Sequence, residues 1–163
     1  MFMLSRLMKM DFHIPGIYWI YPLIQGGEKN YFLMRNKMQT PLISVVIAAY
    51  NAGKYMEECL NSIVNQTFQD WECIIVDDAS TDNTLSIIQE FVTKDQRFRH
   101  DTLPANSGSA KVPRDKAVDD AQTDWILQVD ADDFIDENVL ERLYARAIQT
   151  DADIVFLRLK KFD

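Results

Sequence analysis

The chain has 163 residues, 47% of them hydrophobic, and a formal net charge of −8 at pH 7. This length and composition predict one globular domain, alone or with a tail, that buries a core. The acidic balance, 17 Lys and Arg against 25 Asp and Glu with no basic stripe, argues against nucleic acid as the main partner. Cys59 and Cys73 lie in apolar patterns, which predicts buried, reduced thiols in a cytosolic protein and no zinc site.

Residues 1–40 differ in composition from the rest and are interpreted as an N-terminal extension. They hold six of the seven methionines, and their apolar stretch, 12–24, contains His13, Pro15 and Pro22. At 13 residues this stretch is too short to span a bilayer, and it lacks the cleavage site of a signal peptide. Three interpretations stay open: a poorly ordered leader or upstream extension, a segment on a membrane surface, and a segment packed on a partner.

From residue 41 onward, apolar strands alternate with amphipathic helices. The predicted strands are Leu42–Ala49, Trp71–Val76, Phe98–Leu103, Trp125–Val129 and Asp153–Leu159. Helical spacing of apolar residues predicts helices over Tyr55–Val64, Leu85–Val92 and Val139–Ile148. A further helix is predicted around Pro113–Ala121, with Pro113 in its first turn. This alternation predicts an α/β fold in three layers, α/β/α, with a twisted and mostly parallel sheet.

Three polar clusters directly follow predicted strands: Tyr50-Asn51, Asp77-Asp78 and Asp130–Asp133. The carboxyl ends of parallel strands meet at one edge of an open sheet, where such folds bind ligands. Carboxylates spaced one residue apart in the third cluster are hard oxygen ligands that suit Mg²⁺ or Mn²⁺ beside a phosphate. The alternatives are a solvated acidic turn that caps the next helix and, for the second cluster, acceptors that cap a helix.

Several nucleotide and nucleophile motifs are absent from the sequence. No Gly-x-Gly-x-x-Gly follows the first strand, and neither a P-loop nor a Gly-x-Ser-x-Gly elbow occurs. Dinucleotide redox chemistry, P-loop phosphate binding and serine hydrolase chemistry are therefore unsupported.

The run from residue 41 to about residue 163 resembles the N-terminal, nucleotide-sugar-binding part of the family 2 glycosyltransferases, which have the GT-A fold. Four motifs carry the resemblance, in order along the chain. They are the opening strand 41–51, Asp-Asp-Ala-Ser-Thr-Asp at 77–82, Asn-Ser-Gly at 106–108 with Arg114, and Asp-Ala-Asp-Asp at 130–133. Residues 1–40 are not covered by the resemblance.

The resemblance implies a nucleotide-diphosphate sugar donor, often linked to UDP, and a divalent metal, Mn²⁺ or Mg²⁺. By position, Tyr50 would lie beside the base, Asp77 would accept a hydrogen bond from its N3–H, and Asp78 would order the same loop. The predicted donor-binding residues are Ala48, Tyr50, Asn51, Asp77, Asp78, Arg114, Asp130, Ala131 and Asp132.

The phosphate end of the donor is assigned to the acidic cluster. Asp130 would lie near the ribose, and Asp132 would hold the metal, with Asp130 as its neighbour in the predicted metal site. Arg114 would add a second positive charge near the phosphates; an exposed helix residue is the alternative reading of its position. The sequence departs from the family pattern at Ala48, which stands in place of a proline, and at 111–113, which replaces a small-residue stretch.

The resemblance also implies an inverting transferase whose general base lies well downstream of Asp132. No residue of this sequence matches it, so no catalytic residue is assigned and the base is expected beyond residue 163. We expect an incomplete GT-A domain, a fragment or a truncated product, with a catalytically inactive nucleotide-sugar-binding module as the alternative. The expected setting is polysaccharide biosynthesis in the cytoplasm at the inner membrane face, with a carbohydrate or lipid-linked acceptor, peripheral membrane association and self-association through a sheet edge.

Overall fold

The protein, as a computed structural model, is described over residues 17–22 and 41–158. Along the chain the elements are β1 (Ile17–Pro22), β2 (Ile43–Ala49), α1 (Met56–Val64), β3 (Trp71–Asp77), α2 (Thr84–Lys94), β4 (Phe98–Thr102), α3 (Lys111–Asp119), β5 (Trp125–Gln128), α4 (Val139–Thr150) and β6 (Val155–Arg158). Every strand and helix predicted after residue 41 is present, in the predicted order. The predicted α/β fold class is confirmed.

Six strands form one sheet in the order β4-β3-β2-β5-β1-β6. The first four of these, β4, β3, β2 and β5, are all parallel to their neighbours. Strand β1 runs antiparallel to β5 on one side and to β6 on the other. The sheet is therefore mostly parallel, as predicted, with one antiparallel strand inside it.

Strand β1 comes from the predicted N-terminal extension. Its register places Ile20 opposite Leu127 of β5 and opposite Val155 of β6. Residues 17–22 are thus part of the sheet, an outcome that none of the three interpretations of the extension included. The remainder of the extension, 1–16 and 23–40, lies outside the described residues.

Helices cover both faces of the sheet. One hydrophobic cluster joins α1, α2 and α4 to one face, and α3 packs against the opposite face at Val46, Ile74 and Val76. Strand β3 is buried along its whole length because apolar side chains meet it from both sides. This arrangement is the predicted three-layer α/β/α architecture. None of the described helices is long and apolar enough to cross a membrane.

A buried polar network ties the strands together at the sheet edge where the parallel strands begin. The Ser44 hydroxyl donates to Glu72 Oε1 at 2.6 Å and lies 2.7 Å from the Thr123 hydroxyl. Arg99 completes the network through an ion pair with Glu72 Oε2 at 2.7 Å. These groups lie at the opposite end of the strands from the three polar clusters.

Candidate functional site

The polar clusters after β2, β3 and β5 meet at one edge of the sheet, called here the site edge. Ala49 is paired with Asp77, and the Asp78 N–H donates to the Ala49 carbonyl at 2.8 Å. Beyond the end of β5, the Val129 N–H still donates to the Val46 carbonyl at 3.1 Å. The three strand ends therefore lie side by side, as the sequence predicted.

The base-binding residues predicted from the resemblance differ widely in exposure. Tyr50 is 50% exposed at the end of β2, whereas the Asp77 side chain is fully buried at the end of β3. Ala48, one residue before the end of β2, pairs with Val76 and is partly buried. An exposed aromatic ring thus lies one strand away from a buried carboxylate.

The two oxygens of Asp77 have different surroundings. Oδ2 accepts a hydrogen bond from the Ser80 N–H at 3.1 Å. Oδ1 is buried, and no donor among the described residues reaches it. A buried acceptor without a donor costs about 1–3 kcal/mol, so such an atom calls for an explanation.

Asp78 binds protein groups with both of its oxygens. Oδ1 accepts from the Ser107 N–H at 2.8 Å, and Oδ2 accepts from the Ser107 hydroxyl at 2.9 Å and the Asn106 amide at 3.2 Å. Asn106 in turn accepts the Gly108 N–H at 2.9 Å, in a turn where Gly108 has φ of +72°. Asp78 therefore fixes the 104–110 loop, and Asn106 and Gly108 shape that loop.

The segment 80–84 holds the loop that follows β2. Three consecutive N–H groups of that loop donate to side chains of the segment: Asn51 to Ser80 Oγ at 2.9 Å, Ala52 to Thr84 Oγ1 at 2.8 Å and Gly53 to Asp82 Oδ2 at 3.0 Å. The Thr84 hydroxyl lowers the pKa of Asp82, and the N–H groups of Thr84 and Gly53 add to this shift. The motif at 77–82 includes Ser80 and Asp82, but the sequence predicted no role at the site for these two residues or for Thr84.

Two residues of these loops have left-handed backbone conformations although neither is glycine. Asn51 has φ of 48° and Ala79 has φ of 57°. The Asn51 side chain accepts from the Thr81 N–H at 2.8 Å, which partly compensates for its conformation. Strained residues of this kind tend to cluster at functional sites.

Arg114 lies against the end of β5. Its Nη2 is 3.0 Å from Asp130 Oδ1, and the Gln128 amide, with its oxygen toward the guanidinium, accepts from Nε at 2.8 Å and from Nη2 at 3.1 Å. The Arg114 side chain is only 19% exposed, which excludes the alternative of an exposed helix residue. Pro113 lies in the first turn of α3, so the departure at 111–113 still directs Arg114 toward the site edge.

The residues of the acidic turn, 130–133, differ in burial and in hydrogen-bond partners. Asp130 is paired with Arg114, Ala131 is buried, and Asp132 is exposed at the tip, while the Asp133 N–H closes the turn on the Asp130 carbonyl at 3.1 Å. Beneath the turn, burial raises the pKa of the Cys59 thiol to about 12, and the carboxylates of Asp133, Asp132 and Asp130 add to this shift. Cys59 and Cys73 are both buried and free, as predicted.

The residues of the turn fit a metal that also binds a ligand. Within residues 17–22 and 41–158, no three His, Cys, Asp or Glu side chains are grouped so that they could hold a metal ion by themselves. Asp132 offers an exposed carboxylate, whereas one oxygen of Asp130 is already engaged by Arg114. A hard cation bound through Asp132 would need further oxygen ligands, such as those of a diphosphate.

An open, mostly parallel α/β sheet with acidic and amide side chains at its carboxyl edge defines a ligand-binding α/β protein of the nucleotide-binding type. The match to a family model identifies the particular family. Residues 44–163 match the model of glycosyl transferase family 2, and the chain belongs to that family.

Curated relatives agree with this assignment. The chain is 40% identical over 122 residues to the glycosyltransferase GlyG of Streptococcus pneumoniae, covering 75% of this chain and 40% of the relative. It is 39% identical over 120 residues to a poly(ribitol-phosphate) beta-glucosyltransferase of Bacillus spizizenii, covering 72% and 19%. The chain thus spans less than half the length of either relative.

Solved structures show the same fold. The chain superimposes on Staphylococcus aureus TarS in complex with UDP with a TM-score of 0.66 at 35% identity, covering 69% of this chain and 33% of that one. The TarS complex with UDP-GlcNAc gives the same TM-score and identity and covers 69% and 32%. The fold predicted from the resemblance is therefore confirmed.

Proposed function

We propose that this chain is the donor-binding part of an inverting, metal-dependent glycosyltransferase that uses a nucleotide-diphosphate sugar. The observation that carries the proposal is Asp77, a buried carboxylate with one oxygen that no described donor satisfies. The N3–H of a uracil base is a donor of the required kind, and Tyr50 offers an exposed ring beside it. The TarS complexes with UDP and UDP-GlcNAc support UDP as the carrier.

The acidic turn is assigned to the ribose and the diphosphate. Asp130, held by Arg114, faces the ribose, and Asp132 with the phosphate oxygens binds Mn²⁺ or Mg²⁺. When bound, the cation neutralises the negative charge that develops on the departing diphosphate. Arg114 contributes a fixed positive charge at the same edge and orients Asp130.

The transfer step follows from the donor chemistry. An acceptor hydroxyl attacks the anomeric carbon as the bond to the diphosphate breaks, and a base outside the matched motifs takes the hydroxyl proton. The poly(ribitol-phosphate) transferases of Bacillus spizizenii and Staphylococcus aureus, both among the relatives, support a polymer as acceptor. We propose a carbohydrate or lipid-linked acceptor, in polysaccharide synthesis at the inner face of the membrane.

Calorimetry with UDP, in the presence and absence of Mn²⁺, tests the site. We expect UDP to bind the wild-type chain at least about tenfold more tightly with Mn²⁺ than without it, a difference of about 1.4 kcal/mol. Asp132→Ala should abolish this metal dependence because it removes the exposed carboxylate of the turn.

Asp124→Ala is the matched control. Asp124 is exposed and directly precedes β5, at the end of the strand opposite to Asp132, and its substitution changes the net charge equally. The control should bind UDP and Mn²⁺ like the wild type. Metal-independent UDP binding by the wild type would refute the assignment of Asp132. Equal losses of metal dependence in Asp132→Ala and Asp124→Ala would also refute it.

A further inference from the structure

We propose that Ser80, Asp82 and Thr84 are positioning residues that hold the base-binding loop in the conformation that recognises the nucleotide. This inference rests on the proposed function, in which Tyr50 and Asp77 bind the base. The three side chains together with the loop residues 51–53 are called here the loop clamp. None of the three is required to contact the ligand.

The loop clamp satisfies three consecutive main-chain donors for which no other acceptor is found among the described residues. The N–H groups of Asn51, Ala52 and Gly53 follow the end of β2 and precede α1, so neither element provides carbonyl acceptors for them. Side-chain oxygens of the next strand's loop accept all three, at distances of 2.8 to 3.0 Å. Thr84 is fully buried, so loss of its hydroxyl would leave the Ala52 N–H without water as a replacement.

Ser80 joins the clamp to the carboxylate that is assigned to the base. Its N–H donates to Asp77 Oδ2 at 3.1 Å, and its hydroxyl accepts the Asn51 N–H at 2.9 Å. One residue therefore fixes the rotation of the Asp77 carboxylate and the position of the loop that begins with Tyr50. Movement of the loop would change the distance between the two groups that hold the base.

Close packing and backbone strain both show that the clamp holds one conformation. A Cβ atom on Gly53 would lie 1.9 Å from Asn83 Oδ1 and 3.0 Å from Asp82 Oδ2, so any side chain at residue 53 would displace the side chains of Asn83 and Asp82. Asn51 keeps a left-handed φ of 48° while its side chain accepts from the Thr81 N–H at 2.8 Å. A strained conformation held from both sides fits pre-organisation for a ligand.

Two substitutions test the clamp without touching the groups assigned to the base. Thr84→Val removes the acceptor for Ala52 but keeps the side-chain shape, and Ser80→Ala removes the acceptor for Asn51 but keeps the N–H that binds Asp77. UDP affinity, measured by calorimetry at least 10 °C below each variant's unfolding midpoint, should fall about tenfold in each, or about 1.4 kcal/mol. Thr84→Ser, which retains the hydroxyl, should restore the affinity.

Matched controls separate positioning from a general loss of stability. Thr123→Val removes a buried hydroxyl at the opposite end of the strands. Ser86→Ala removes an exposed hydroxyl in α2 that donates to the carbonyl of Asn83, the residue before the helix. Both controls should bind UDP within twofold of the wild type, even where Thr123→Val lowers the unfolding midpoint. Amide exchange at Ala52 should quicken in Thr84→Val but not in Thr123→Val or Ser86→Ala.

The outcomes distinguish this inference from the function on which it rests. If the wild type does not bind UDP, the proposed function fails and the clamp has no nucleotide to position. If the wild type binds UDP and both clamp variants bind it within twofold, the donor site stands and the positioning role is refuted. Equal losses in Thr84→Val and Thr123→Val would also refute positioning, because they would reflect stability alone.

Discussion

Asn51 and Ala79 have left-handed backbone conformations at neighbouring strand ends, but only Asn51 has a side chain that compensates locally. The Asn51 oxygen accepts from Thr81, whereas the Ala79 methyl group offers no such bond. The Cβ atom of an L-residue in this region approaches the following carbonyl and costs about 1–2 kcal/mol. The backbone of Ala79 is therefore strained. Ala79 lies between Asp78, which fixes the 104–110 loop, and Ser80, which belongs to the loop clamp.

Ala79→Gly should raise the free energy of unfolding by about 0.5 kcal/mol. Glycine removes the steric cost at φ of 57°, and the greater freedom of the unfolded chain cancels part of the gain. Chemical denaturation at constant pH measures the change. Ala145→Gly is the control, because Ala145 is exposed within α4 and its substitution should cost about 1 kcal/mol. If Ala79→Gly lowered the free energy of unfolding as much as Ala145→Gly does, the backbone of Ala79 would not be strained.

The side chains at the site show what a linear motif can and cannot predict. The motifs predicted which strand ends meet, because strand order and parallel pairing follow from the alternation of elements. They did not predict that Asp78 would be fully engaged by Asn106 and Ser107 or that Arg114 would pair with Asp130. Such partners depend on loop conformations, which hydrophobic periodicity does not encode.

Helix α4 receives its N-terminal cap from the side chain of Gln66, which lies just after α1. Asp136 is a reasonable N-cap on sequence grounds, but the residue at the N-cap position is Asn138, whose side chain makes no capping bond. The Leu140 N–H donates instead to Gln66 Oε1 at 3.0 Å, and Gln66 Nε2 donates to the Asp136 carbonyl at 2.7 Å. Gln66, two residues after the end of α1, thereby holds the segment between the acidic turn and α4.

Gln66→Ala should lower the free energy of unfolding by about 2–3 kcal/mol. The substitution removes the cap of α4 and leaves the Leu140 N–H and the Asp136 carbonyl without their partner in a buried place. Urea unfolding followed by circular dichroism measures the loss. Gln89→Ala, at an exposed position of α2, should change stability by less than about 0.5 kcal/mol. Similar effects at residues 66 and 89 would exclude a capping role for Gln66.

At the scale of the whole molecule, the sequence predicted the layers but not the complete sheet. The βα units that begin with β2, β3 and β5 could be predicted because their strands are apolar, whereas β4 has Phe98 as its only buried residue and gives a weaker signal. Strand β1 could not, because a stretch with two prolines and a histidine has neither a strand period nor a nearby pairing partner in sequence. Its partners lie more than 100 residues downstream, in β5 and β6.

Strand β1 lies outside the part of the chain that matches the family model, yet it pairs with the strand that leads to the site. The family model begins at residue 44, whereas β1 pairs along β5, the strand that leads into the acidic turn. Without β1, strand β5 would be hydrogen-bonded only to β2 and its other side would be an open edge. We therefore expect the N-terminal strand to stabilise the position of Asp130 and Asp132 from a distance.

Ile20→Pro in the full chain tests this support. Proline has no N–H and is not accommodated in a central strand, so we expect a loss of about 2 kcal/mol or more in unfolding free energy. Hydrogen exchange should quicken at the amides of β5 and β6, while those of β3, which is paired with β2 and β4, should remain protected as an internal reference. Ile20→Val keeps the N–H, and its free energy of unfolding should lie within about 1.5 kcal/mol of the wild-type value. Unchanged stability and unchanged exchange at β5 in Ile20→Pro would show that residues 17–22 do not hold the strand that carries the acidic turn.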